Sequence, residues 1–264
     1  MNRSGKLIIA VVIALASYVG YCMKQQTNPI TGEVQHISLS PAEEVAIGLN
    51  SAPQMMAEFG GEYPNPKVQA LLDQVGENLL KHSVAGKSEY QFDFHVLADD
   101  QTINAFALPG GQVFITMGLL KRLKTEDQLA GVIGHEIGHV IGRHGAEHMA
   151  KQELTQGLIG AAQVATADPN NPNGSAQIAA FVGNMVNMKY GREDELESDN
   201  FGVQFLLSAG YDPNAMIEVM EILKEAANGQ KQPEFMSSHP SPENRIEKLK
   251  ETIAYYKNGG QNKE

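Results

Sequence analysis

Cysteine is almost missing from this chain. Cys22 stands alone among 264 residues, so no internal disulfide can staple the fold and a hydrophobic core must hold it. Positive charge is also scarce: 20 Lys and Arg face 31 Asp and Glu, a formal net charge of -11. Removing Arg3 and Lys6 from that balance leaves -13, since no acid precedes Glu33. Such a surface disfavours nucleic acid and anionic lipid as partners. Internal repeats are absent, which excludes a repeat array.

Charge disappears altogether from Leu7 to Met23, a run of 17 residues preceded by Arg3 and Lys6. That is the layout of a signal anchor or signal peptide, with the basic end held in the cytoplasm and the rest sent across. Ala14-Leu15-Ala16 has the small-x-small form of a cleavage site, yet apolar residues continue past it. A lipoprotein signal needs a small residue before Cys22, and Tyr21 occupies that place. The expectation is an uncleaved anchor over residues 1–24 and a single domain over 25–264, long enough for one core.

Within that domain, His135-Glu136-Ile137-Gly138-His139 puts two imidazoles four residues apart. On a helix these share one face, so both can grip one metal ion while Glu136 reaches a water beside it. Leu129, Val132, Ile133, Ile137, Val140 and Ile141 supply an apolar stripe, and Thr125 with Gln128 reads as a capping box at the helix start. Catalytic zinc usually takes three protein ligands and keeps one position open. A third histidine from the same stretch would have to stand at position 145, which is glycine; His144 is one residue off, a rotation of about 100° on a helix. His144 therefore reads as a packing or supporting residue. The alternative is a glutamate from the acidic run Arg192 to Asp199. Glu195 and Asp199 share a face, so Glu195 can bind metal while Asp199 accepts a hydrogen bond from a ligand histidine. Glu193, Asp194 and Glu197 compete for the ligand role on residue pattern alone.

Helices are expected at Pro41 to Phe59, with Ser40 and Glu43 as a capping box, and at Pro66 to His82. Asp212-Pro213 and Ser241-Pro242 each read as the start of a further helix. Gln91 to Ala98, Ala105 to Leu108 and Val113 to Thr116 read as short strands, with Pro109-Gly110-Gly111 as a turn. Gly157 to Met188 reads as a lid over the cleft or a helical hairpin. Gly229 to Ser241 reads as a loop.

Five landmarks occur in order: Asn28-Pro29-Ile30-Thr31-Gly32; Asn104 to Gly111; the pentad continued by Arg143-His144; Glu195 to Asp199; and His239-Pro240 followed by Arg245. With them the chain resembles the gluzincin metallopeptidases that include the CAAX prenyl protease, HtpX, the mitochondrial Oma-type protease, BepA and LoiP. Its organisation is most similar to the single-domain LoiP-like members, although those can be lipoproteins and Tyr21 departs from that pattern. The resemblance implies a predominantly helical α+β, zincin-like domain with a small sheet beside the catalytic helix. It implies one zinc ion held by His135, His139 and Glu195, with Glu136 as general base. Asp199 and Arg245 would support the ligands, and His239 would either cap the zinc at rest or contact the reacting carbonyl. His239 and Arg245 are both candidates to stabilise an oxyanion. Asn104, Ala105, Phe106, Ala107, Pro109 and Gly110 would border the substrate, which adds as an extended strand. The implied activity is endopeptidase cleavage of misfolded or misassembled envelope proteins on the periplasmic side. The competing reading is an envelope chaperone or assembly factor with restrained proteolysis.

Overall fold

A computed structural model describes residues 3–166, 190–227, 233–239 and 244–260. The apolar leader forms α1 (Arg3–Cys22) and runs into a two-stranded ribbon, β1 (Gln25–Thr27) against β2 (Val34–His36). Two helices follow, α2 (Pro41–Glu58) and α3 (Pro66–Lys81). Both begin as their sequences dictate. Ser40 and Glu43 exchange the two bonds of a capping box, Asn65 caps α3, and each helix carries proline in its first turn.

Three strands then form the sheet, β3 (Asp93–Leu97), β4 (Ala105–Ala107) and β5 (Gln112–Thr116), in the order β3-β5-β4. β5 is central and wholly buried; it runs parallel to β3 and antiparallel to β4, which is left as an edge. The Pro109-Gly110-Gly111 turn between β4 and β5 lies against α2. Gly110 has φ 84°, and a Cβ there would overlap the Val45 backbone. The close approach that this turn permits is therefore to a helix.

After the short α4 (Met117–Leu120) comes α5 (Glu126–Ile141), buried without a break from Gln128 to Ile141. Thr125 Oγ1 accepts from the Gln128 N–H at 3.2 Å. The expected reciprocal bond goes one residue further back, since Gln128 Oε1 accepts from the Lys124 N–H at 2.7 Å. α6 (His144–Thr166), α7 (Arg192–Ala209), α8 (Asn214–Ala227), α9 (Glu234–Ser238) and α10 (Arg245–Lys257) complete the described chain. The fold is α+β and predominantly helical, with its main core between α3, the sheet, α5, α7 and α8.

Two expectations change. The stretch read as a loop from Gly229 carries α9, which seats His239. Asp212 starts α8 as expected, accepting from the Asn214 N–H at 3.1 Å. The Ser241-Pro242 signal and residues 167–188 of the lid segment lie outside the described residues; positions 157–166 belong to α6.

Candidate metal centre

α5 meets α7 where glycine removes the side chains between them. A Cβ on Gly138 would lie 3.0 Å from both Cα and O of Ser198, so any side chain there would force the two helices to give by a few tenths of an ångström. This approach lowers Glu195 and Asp199 onto the histidine face of α5. One ligand atom from each of His135, His139, Glu195 and His239 falls in a group whose members all lie within 4.8 Å of one another, and all four residues are buried.

The remaining acids of the run are accounted for. Asp194 accepts from the Gly191 N–H and pairs with His148 Nε2 at 2.9 Å, Glu197 pairs with His144, and Glu193 is exposed. Glu195 alone of the four reaches the two histidines of the pentad, at 3.6 Å from His135 Nε2 and 3.5 Å from His139 Nε2.

The histidines are held from behind. His135 Nδ1 lies 3.0 Å from Asp199 Oδ1. His139 Nδ1 lies 2.8 Å from His144 Nδ1, and His144 Nε2 lies 2.8 Å from Glu197 Oε2. One proton arrangement satisfies both chains: each ligand histidine donates through Nδ1, His144 donates through Nε2 to Glu197, and both Nε2 lone pairs of α5 point inward. Those two Nε2 atoms are 3.0 Å apart. Two facing lone pairs at that distance repel unless a proton or cation lies between them. The pairing of His144 with Glu197 escaped the sequence reading. Its signal was the five-residue step from His139, which crosses the end of α5 into a new helix, so the rotation argument for one continuous helix did not apply.

Arg245 is fully buried and committed to carboxylates. Its Nε and Nη2 donate to Asp199 Oδ2 and Oδ1 at 2.6 and 2.8 Å, while Nη1 lies 2.6 Å from Glu195 Oε2 outside hydrogen-bond alignment. It steadies both acids, which leaves His239 as the freer of the two oxyanion candidates. His239 Nδ1 sits between Ser238 Oγ at 2.9 Å and the Phe235 carbonyl at 3.2 Å. Its Nε2 is without a hydrogen-bond partner and lies 3.6 Å from Glu136 Oε1.

Burial governs the electrostatics. It pushes the Glu136 carboxyl up to about 8, against the opposing Arg245 charge; the Ala107 N–H also favours the charged form, from beyond hydrogen-bond geometry. Burial likewise raises Glu195 well above the usual carboxylate range, again against Arg245. It would raise Asp199 too, but the Arg245 charge and hydrogen bonds from Arg245 and His135 hold that acid at about 2. Desolvation lowers His135, and lowers His139 and His239 well below the ordinary imidazole value, keeping them neutral as ligands must be. Both oxygens of Glu136 and of Glu195 lack hydrogen-bond partners. Buried carboxylate oxygens and an imidazole nitrogen converging without partners form a donor set that suits a divalent cation.

Near this centre, Tyr190 stacks on His139 with ring centroids 3.9 Å apart, and its N–H donates to the Ser238 carbonyl. No motif in the sequence marked it. Of the residues expected to border substrate, Ala107 and Pro109 line a narrow cleft with His139, Val140 and Tyr190. Phe106 packs instead with Phe59 and Phe114. Asn104 is fully buried with both side-chain amide atoms unpartnered, and Ala105 is buried in the edge strand. Gly110 is taken up by α2.

The first landmark also gains a physical role. Asn28 Oδ1 accepts from the Ile30 and Thr31 N–H groups, while its Nδ2 donates to the Ile141 carbonyl at 2.8 Å; Gln35 Nε2 donates to the Gly142 carbonyl at 2.6 Å. The ribbon thus satisfies the last carbonyls of the histidine helix. Arg143 turns the chain there at φ 57°, anchored by Glu44 Oε1 at 2.8 Å from its Nε.

The model of peptidase family M48 matches residues 66–253. The chain belongs to that family. Its members are metal-dependent peptidases. Among similar curated proteins is the beta-barrel assembly-enhancing protease of Escherichia coli K12, 30% identical over 259 residues, covering 93% of this chain and 50% of that protein. The mitochondrial metalloendopeptidase OMA1 of Schizosaccharomyces pombe is 37% identical over 174 residues, 65% of this chain and 49% of that protein. OMA1 of Bos taurus is 29% identical over 255 residues, covering 89% and 47%. The M48 chain described here spans about half the length of these relatives.

Proposed function

We propose that this chain is a zinc-dependent endopeptidase anchored by α1 on the periplasmic side of a bacterial envelope, where it cleaves misfolded or misassembled proteins. The observation that carries the reading is the convergence of His135, His139 and Glu195 beside Glu136, all buried. Three ligands of this type suit zinc and leave room for a reacting group. A zinc ion bound there would acidify a water molecule and polarise the scissile carbonyl.

The protein's own groups would do the rest. Glu136, its basicity raised by burial, takes the proton from the attacking water and returns it to the leaving amine nitrogen. Asp199 and the His144–Glu197 pair fix the tautomers of His135 and His139, and Arg245 fixes Glu195. The edge strand β4 offers backbone groups to an extended peptide. Backbone pairing of this kind tolerates many sequences. The names of the relatives, a barrel-assembly protease and a mitochondrial metalloendopeptidase, favour protein substrates in a membrane compartment.

His239 favours a restrained form. Its Nε2 joins the ligand group and stands beside Glu136, where a substrate carbonyl would need to lie. If it caps the centre at rest, His239→Ala raises proteolysis of an unfolded substrate; a fall assigns it to oxyanion stabilisation instead. Casein incubated with wild type, Glu136→Gln and a chelator tests the whole reading. Loss of a general base should cost about 10²–10⁴-fold in rate, and the chelator should abolish cleavage. Equal cleavage in all three would overturn the mechanism.

A further inference from the structure

The longest helix leaving the metal centre does not stay with the domain. α6 begins at His144, inside the centre, and runs along α1 in the opposite direction: Lys24 pairs with Glu153, and Ser17 lies against Gly157 so closely that a Cβ there would overlap its side chain. Ala10 and Ala161, buried on their respective helices, lie further along the two. α1 is otherwise naked. From Ser4 to Cys22 it is long and apolar enough to cross a membrane, with mean hydropathy 1.9, and only 6% of that window is buried. Its exposed side chains include Ile8, Val12, Leu15 and Val19.

α6 changes character at the level of the Lys24–Glu153 pair. Before it stand Glu147, Lys151 and Glu153; from Leu154 to Ala167 the sequence has no charge, and Leu158 and Ile159 are each 44% exposed. Two adjacent large apolar side chains facing outward on a helix pressed against an apolar span share whatever medium surrounds that span. Small residues at the crossing, Gly157 against Ser17, are how helices approach in lipid, where hydrophobicity between helices supplies no drive.

We infer that the second half of α6, from about Leu154 onward, enters the lipid bilayer beside α1, so that the domain is held by two helices and the acyl chains are the partner of the Leu158–Ile159 face. The inference rests on reading α1 as a membrane anchor. At 1.5 Å per residue, the nine steps from His144 to Glu153 fix the metal centre about 14 Å along α6 from the polar level of the membrane.

Full-length chain in phosphatidylcholine vesicles tests it. In a Cys22→Ser background, Val12→Cys, Ile159→Cys and Lys151→Cys each carry an environment-sensitive fluorophore, and lipid-borne nitroxides or aqueous iodide serve as quenchers. The expected result is that nitroxide removes most of the emission at positions 12 and 159 while iodide reaches only position 151. Emission at 12 quenched by nitroxide with 159 quenched by iodide overturns the inference and leaves the anchor standing. Iodide quenching at both 12 and 159 overturns the anchor and the inference together.

Discussion

Two helix pairs carry this molecule, and they invert each other. α5 and α7 bury polar groups: His135, Glu136, His139, Glu195 and Asp199 lie deep in the protein, and each is tolerable only because another group or a cation answers it. α1 and α6 expose apolar groups, among them Ile8, Val12, Leu158 and Ile159, a pattern that the lipid inferred above would accommodate. Both pairs cross at small residues, Gly138 under Ser198 and Gly157 under Ser17. Close helix contact therefore says nothing about what surrounds it. The charges do: they are concentrated inside one crossing, and in the other pair they stop at Lys24 and Glu153, short of Gly157 and Ser17.

The comparison breaks most readily at Arg245. Replacing it with Leu leaves Asp199 and Glu195 buried with no cation, which should destabilise the chelated domain by about 3–5 kcal/mol; denaturant unfolding measures this, and a neutral effect would mean the α5–α7 pair does not depend on its charges. Next is overpacking. Gly138→Val should cost about 1–3 kcal/mol in the same assay, because its Cβ meets backbone, whereas Val12→Ala on α1 should stay within about 0.5 kcal/mol. Equal losses would erase the distinction between the pairs.

Smaller effects sharpen it. His144→Phe removes the acceptor that orients His139 and should weaken zinc affinity about 10–100-fold in chelator competition. Glu197→Gln keeps a weaker acceptor for His144 and should cost less. The pH dependence of the chelated chain comes last. Glu136 is raised from 4.5 to about 8, so between those values the folded state holds a proton that the unfolded state has released, and stability falls as pH rises. The lowered histidines act in the opposite sense, but below about 6.5. Between about 6.5 and 8 the raised carboxyls govern: Glu136 contributes a slope of at most about 1.4 kcal/mol per pH unit for its one proton, and Glu195, also raised by burial, acts in the same sense. Thermal unfolding across that window should show the decline, and saturating zinc should flatten it by keeping Glu136 ionised.

What the sequence made legible followed from short-range rules. The cap at Ser40, the histidine face of α5 and the alternating strands around β5 need only local geometry. The fitness of Glu195 over Glu193, Asp194 and Glu197 did not, because it depends on where α7 crosses α5, and that is set by Gly138 and Ser198 from different segments. Tyr190, the His144–Glu197 pair and the support of α5 by Asn28 and Gln35 were hidden for the same reason. Phe106 illustrates the reverse. It sits among residues expected to border substrate, yet its ring fills a cluster with Phe59 and Phe114, since alternate residues of a strand face opposite ways.

The central claim is that α5 and α7 jointly hold one divalent ion. Its most direct test is the metal content, by mass spectrometry, of wild type and Glu195→Ala purified without added metal. One zinc per wild-type chain and a loss of most of it in the variant is the result expected. Wild type without stoichiometric metal, or a variant that retains it in full, would contradict the account.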